Sequence, residues 1–118
     1  MTTVRSATPD EYPAVRSILN AAMLTVPSGL LARGSVLVAC DDDRILGGLV
    51  LVGDSIEAVA VRPGRRGQGL GTALIERAAA RRPRLRAGFD PSVRPFYDSL
   101  GFDITCDDGR CEGVLDAG

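Results

Sequence analysis

Arg66-Gly67-Gln68-Gly69-Leu70-Gly71, set between the apolar run Ser55–Val61 and the helical run Thr72–Arg82, decides how this chain is read. A strand that ends in glycines and turns directly into a helix leaves several backbone N–H groups without intrahelical partners. They point one way and are reinforced by the helix dipole. Glycine at 67, 69 and 71 allows positive φ and removes the Cβ atoms that would hold an anion away from those amides. The stretch reads as a cradle for a pyrophosphate.

Spacing separates the phosphate motifs. The dinucleotide fingerprint requires a third glycine three residues after the second, and counted from Gly67 and Gly69 that position holds Thr72. The P-loop requires Lys and then Ser or Thr after its last glycine, but Gly64 through Gly69 is followed by Leu70 and Gly71. What remains is R-x-x-G-x-G preceded by Val61-Arg62-Pro63, and here the chain resembles the GCN5-related N-acetyltransferase (GNAT) family, whose signature motif binds the pyrophosphate of acetyl-CoA. Phe96-Tyr97-Asp98-Ser99-Leu100-Gly101-Phe102 is similar to that family's F-Y-x-x-L-G-F segment, in the same order along the chain.

The resemblance implies a fold, a cosubstrate and a chemistry. The implied fold is α/β, a mixed central sheet of six to seven strands with helices on both faces, and residues 1–118 are expected to form one N-acetyltransferase domain. The implied reaction moves an acetyl group from acetyl-CoA to a primary amine by direct attack in a ternary complex. Cofactor contacts are implied at Val59, Ala60 and Val61, whose backbone amides hydrogen-bond the pantetheine in the family, and at Arg66, Gly67, Gln68, Gly69, Leu70, Gly71 and Thr72 in the cradle. The family often has asparagine seven residues before its tyrosine, where this chain has Asp90. The alternative function is a non-catalytic acyl-CoA-binding or regulatory module, and a third reading is an interaction domain that keeps the fold and binds no CoA.

An amine attacks a thioester only as the neutral base, whereas most alkyl amines near neutral pH are protonated. In Ser55–Val61, alternation puts Glu57 on the face of Val59 and Val61, where several GNAT members place a glutamate used as base or water-positioner. Glu57 is the candidate base, or a carboxylate that binds a cationic acceptor without taking its proton. The departing CoA thiolate needs an O–H donor, and Tyr97 matches the family's tyrosine in that role. The alternative for Tyr97 is a packing aromatic that extends the Phe96 and Leu100 stripe.

Composition bounds the rest. At 118 residues, 45% hydrophobic and 25% charged, the chain is a soluble single domain, with no run of membrane-spanning length and no leader-like N-terminus, so the expectation is cytoplasmic. A net charge of −1 argues against nucleic-acid or anionic-membrane partners. The expected partner is an amine acceptor, small molecule or protein, and a homodimer is in keeping with the family. Arg62, Arg65 and Arg66 crowd the cradle, while Arg77, Arg81, Arg82, Arg84 and Arg86 read as a solvated face. The chain contains no lysine and no histidine, which excludes lysine autoacetylation and removes the commonest general base and metal ligand; no metal is expected. Cys40, Cys106 and Cys111 read as reduced core or strand residues.

Thr8-Pro9-Asp10-Glu11 reads as a helix start with a capping box, followed by apolar positions at Val15, Ile18, Leu19 and Ala22. Val26–Gly34 suits a loop with a helical turn around Leu30–Arg33, where the family normally has a longer helix walling the acceptor site; an open groove is expected. Val36–Cys40 and Ile45–Val52 predict a hairpin, with Gly47-Gly48 marking a bulge or a close contact. The helix after the glycines is expected to bury Leu70, Ala73, Leu74 and Ala78 and to end before Pro83, and Arg84–Phe89 to run parallel to Ser55–Val61. Ser92 is expected to cap a short helix ending at Gly101, before a last hairpin across Asp107–Arg110.

Overall fold

A computed structural model describes residues 2–22, 24, 26–27, 29–65 and 67–116. Strand β1 (Thr2–Ser6) leads through a 3-10 turn at Pro9–Glu11 into α1 (Tyr12–Ala21), then α2 (Leu30–Arg33), β2 (Ser35–Asp41), β3 (Arg44–Val52) and β4 (Ser55–Val61). A second 3-10 turn at Pro63–Arg65 precedes α3 (Leu70–Arg81), β5 (Arg84–Phe89), a third such turn at Pro91–Val93, α4 (Arg94–Ser99), β6 (Asp103–Asp107) and β7 (Arg110–Asp116). The seven strands form one sheet in the order β1-β2-β3-β4-β5-β7-β6, antiparallel except at β4–β5.

Two apolar layers sandwich the sheet. One holds Leu37, Leu49, Leu51 and Ile56 against Leu70, Leu74, Ile75 and Ala78 of α3, and continues through Phe89, Tyr97 and Phe102. The other packs Val15, Ile18 and Leu19 of α1 and Leu30 and Leu31 of α2 on Val36, Val38, Val50, Ala58 and Ala60. Within α3, Ile75 takes the buried place expected of Ala73, which is half-buried, because the apolar stripe runs from Leu70 through Leu74 to Ala78 and Ile75 borders it. Of the glycine pair in β3, Gly48 marks a close contact: a methyl group there would lie 2.9 Å from Cγ1 of Val15, so glycine lets α1 sit against the sheet.

The start of the first helix is electrostatic. The carboxylate of Glu11 accepts the Thr8 amide at 2.9 Å and both guanidinium nitrogens of Arg5 at 2.8 Å, clasping β1 to the turn. These bonds, Arg5 foremost, lower the Glu11 carboxyl from 4.5 to about 2. A carboxyl whose folded value is depressed stabilises the fold above its unfolded value and loses that contribution as the pH falls toward the folded one. Glu11→Gln is therefore expected to lower the melting temperature at neutral pH, with the gap to wild type narrowing steadily below about pH 4.5; a pH series of melting curves checks this.

Two expectations are corrected near the C-terminus. Cys106 and Cys111 are not reduced: they face each other across the β6–β7 hairpin and form a disulfide, while Cys40 is free and buried. The pairing arises from register, because the Asp108-Gly109 turn, with φ of 50° and 75°, sets Cys106 opposite Cys111. Ser92 does not cap the turn before α4. The Asp90 carboxylate accepts the Ser92 amide at 2.9 Å, and Val93 immediately precedes the helix.

Candidate active site

β4 and β5 pair only at Ser55↔Arg86 and Ile56↔Ala87 and then part, which leaves the Glu57–Val61 edge without a partner strand on the β5 side. The split opens into a cavity of about 820 Å³, lined by β4 from Ile56 to Val61, by Gly67 and Gly69–Thr72 of the cradle, by Gly88–Asp90 at the end of β5 and by Tyr97. That volume suits a cofactor-sized ligand.

The cradle is built by backbone conformation. Gly67 and Gly69 have φ of 79° and 80°, and open space lies where their Cβ atoms would stand. The Ala73 amide bonds to the Gly69 carbonyl at 3.0 Å, so the amides before it in the first turn of α3 are free of helical partners and meet the cavity at their positive end. Gly71 serves differently from the other two: a methyl group there would meet the Phe96 ring at 3.3 Å, so its small size lets α4 approach α3. Thr72 lines the cavity beside it, whereas Gln68 lies outside the lining and accepts from Arg65 at 3.4 Å. Arg66 lies outside the described residues. Arg65 lines the cavity with its guanidinium 3.7 Å from Asp41, and Arg62 is tied to the Ile45 carbonyl at 2.7 Å. Arg82, Arg84 and Arg86 bind Gly53, Asp116 and Asp54 at the opposite end of α3 and β5, away from the cradle.

Glu57 does not share a face with Val59 and Val61. The β3–β4 register jumps from Val50↔Ala58 to Leu51↔Ile56, leaving Glu57 in a bulge with no cross-strand partner. An inserted residue breaks the period-2 alternation. Ile56, Val59 and Val61 therefore all pack toward α3, while the carboxylate of Glu57 accepts the Ser55 hydroxyl at 2.6 Å on the opposite face and reaches the cavity exposed.

Tyr97 arrives from the α4 side. Its ring stacks on Phe89 with centroids 4.2 Å apart and meets Phe96 and Phe102 edge-on at 5.0 and 5.1 Å, an aromatic clamp that fixes its orientation. The residue is buried, and burial pushes its phenol up to about 12. Its hydroxyl bonds to no described residue, yet it is not sealed in, so its oxygen is left to the cavity as a protonated donor. Asp90 also lines the cavity, and the Ser92 amide and hydroxyl, then the Arg110 charge, hold its carboxyl below the usual range. Sequence reasoning missed Arg110, which lines the cavity from the start of β7 and lies over Gly88, where a methyl group would be 3.3 Å from its Nη2. The Asp-Gly turn was the one available signal, since it sets the register that brings Arg110 there.

Residues 32–104 match the model of the acetyltransferase (GNAT) domain. The chain belongs to the GNAT acetyltransferase family. A curated relative of this GNAT chain, the peptidyl-lysine N-acetyltransferase YjaB of Salmonella typhimurium, is 33% identical over 75 residues, which are 61% of this chain and 50% of the relative. The chain thus spans about half the length of that relative. Among solved structures, a Salmonella typhimurium protein determined with its cofactor acetyl-CoA superposes with a TM-score of 0.79 at 20% identity, covering 100% of this chain and 95% of that one. The ribosomal-protein-S18-alanine N-acetyltransferase of Escherichia coli gives 0.75 at 20% identity, covering 97% of this chain and 91% of that one. These likenesses show the GNAT fold, a seven-stranded mixed sheet with helices on both faces. Among the described residues no helix is long and apolar enough to cross a membrane, and no cluster of His, Cys, Asp and Glu could hold a metal ion.

Proposed function

We propose that residues 1–118 form a single cytoplasmic N-acetyltransferase domain that moves an acetyl group from acetyl-CoA to a primary amine by direct attack in a ternary complex. One observation carries the reading: a single cavity gathers an anion-binding helix start, an unpaired strand edge, an exposed carboxylate and a clamped phenol. The cradle of Gly67, Gly69, Leu70, Gly71 and Thr72 fits a pyrophosphate, since its amides are free and no Cβ blocks Gly67 or Gly69. The bare β4 edge at Val59, Ala60 and Val61 fits an amide-bearing arm such as pantetheine. When bound there, acetyl-CoA supplies the acyl thioester.

In this reading Glu57 takes a proton from the incoming ammonium, directly or through water, and Tyr97 gives its hydroxyl proton to the leaving sulfur. The two groups enter from opposite faces of the split sheet, which separates the proton-accepting and proton-donating ends of the reaction. The primary amine is the class named for the relatives, a peptidyl lysine in one and a protein alanine in another.

The test is acetyl-CoA-dependent thiol release with a panel of amines across pH, comparing wild type with Glu57→Gln. We expect kcat/KM to fall roughly tenfold to a thousandfold, the loss being in kcat with a changed pH profile if Glu57 is the base. A higher acceptor KM at constant kcat would instead make it a binding carboxylate. No thiol release from wild type while acetyl-CoA still binds would favour a non-catalytic acyl-CoA-binding module.

A further inference from the structure

Arg110 and Glu57 occupy the same open face of the sheet. On β5, Leu85, Ala87 and Phe89 point into the α3–α4 core, so Gly88 and the Arg110 guanidinium lying over it face the other way, as the Ser55-bonded carboxylate of Glu57 does. Helices α1 and α2 pack over β2, β3 and β4, and Arg84, Arg86 and Gly88 of β5 are exposed beyond them. Glu57 and Gly88 each follow the last paired residues, Ile56 and Ala87, so the carboxylate and the guanidinium over Gly88 both line the cavity where the two strands part.

The cavity contains two described arginines. Arg65 is engaged on the cradle side by Asp41 and Gln68. The Arg110 guanidinium makes no hydrogen bond or ion pair with any described residue, although its charge acts on the Asp90 carboxyl, and Asp107 is its cross-strand partner. No described residue uses the donors of its planar fork, whose geometry takes a carboxylate through two parallel N–H bonds. The disulfide beside it fixes the hairpin that carries it.

Resting on the acetyltransferase reading above, we propose that Arg110 is a specificity-determining residue that binds a carboxylate of the acceptor while Glu57 receives the amine. The acceptor is then an amine with a carboxylate close by. That carboxylate belongs either to a free amino acid or to an acidic residue beside a peptidyl amine. A fork that makes two charge-assisted bonds to the carboxylate and only one, to a neutral oxygen, with the amide of the same shape discriminates against the amide.

The experiment uses matched acceptors: amino acids and their α-amides, and peptides that differ only by Glu or Gln next to the amine-bearing residue. Wild type is expected to favour the carboxylate member of one set roughly ten- to hundredfold in kcat/KM, through acceptor KM. Which set shows the preference identifies the source. In Arg110→Gln the preference is expected to collapse to about parity, and in Arg110→Lys, which keeps the charge without the fork, to be partly restored. Calorimetric titration of the same pairs into CoA-loaded protein reads the preference without turnover, so a failure of catalysis and a failure of this proposal are told apart. Equal use and equal binding of both members by wild type, the same preference in Arg110→Gln, or a rise in acetyl-CoA KM in place of acceptor KM would overturn it.

Discussion

Tyr97→Phe is expected to lower kcat roughly a hundredfold or more, the range for losing a positioned acid, while the melting temperature and acetyl-CoA affinity stay near wild type. The substitution removes one oxygen and leaves the ring. Its stack on Phe89 and edge contacts with Phe96 and Phe102 hold α4 against the sheet, and they survive in phenylalanine. The hydroxyl has no partner among the described residues, so no hydrogen bond of the fold is lost. Because burial raises the phenol to about 12, the donor stays protonated through the range in which proteins are assayed, and no alkaline loss of kcat is expected from its ionisation until the pH approaches that value. If Tyr97 is only a packing aromatic, kcat in the variant will stay within about threefold of wild type, as for a change that leaves the reacting groups untouched.

Gly69→Asp is expected to raise the dissociation constant of acetyl-CoA on the order of a hundredfold, because it opposes an anionic ligand with a carboxylate and blocks amides worth about 1.5–3 kcal/mol each toward a charged group. The backbone at Gly69 is left-handed, at φ 80°, with open space where the side chain would emerge. Aspartate is among the few residues that tolerate this region, so the loop is expected to keep its shape. Gly69→Asn is the control: equal in size and equally tolerant of the left-handed region but uncharged, it isolates the electrostatic part and is expected to cost far less affinity. Calorimetric titration of acetyl-CoA into the three proteins checks this, and equal losses for Asp and Asn would assign the effect to shape rather than charge.

The frame of the molecule was legible because local chemistry sets it. Gly67 and Gly69 demanded a left-handed turn into a helix, Pro83 required that helix to stop, and Asp108-Gly109 specified a tight hairpin. The crossover between β4 and β5 required a parallel pair at the middle of the sheet. What depended on register across strands was not legible. Alternation alone placed Glu57 with Val59, and only the pairing with β3 reveals the bulge that turns it over. The Cys106–Cys111 bridge and the reach of Arg110 over Gly88 likewise depend on which residues end up opposite one another. Asp90 departs from the family's asparagine, and only the fold shows that its carboxylate is occupied by the turn it caps.

Transfer of acetyl groups from acetyl-CoA to an amine in this one cavity is checked by incubating the protein with acetyl-CoA and a panel of small amines and N-terminal and lysyl peptides, measuring free thiol and acceptor mass together in wild type and Tyr97→Phe. Thiol release is expected to be matched one for one by acceptors heavier by one acetyl group, confined to one acceptor class and strongly reduced in the variant. Thiol release at the hydrolysis background with every acceptor, with acetyl-CoA bound equally by both proteins, would contradict it.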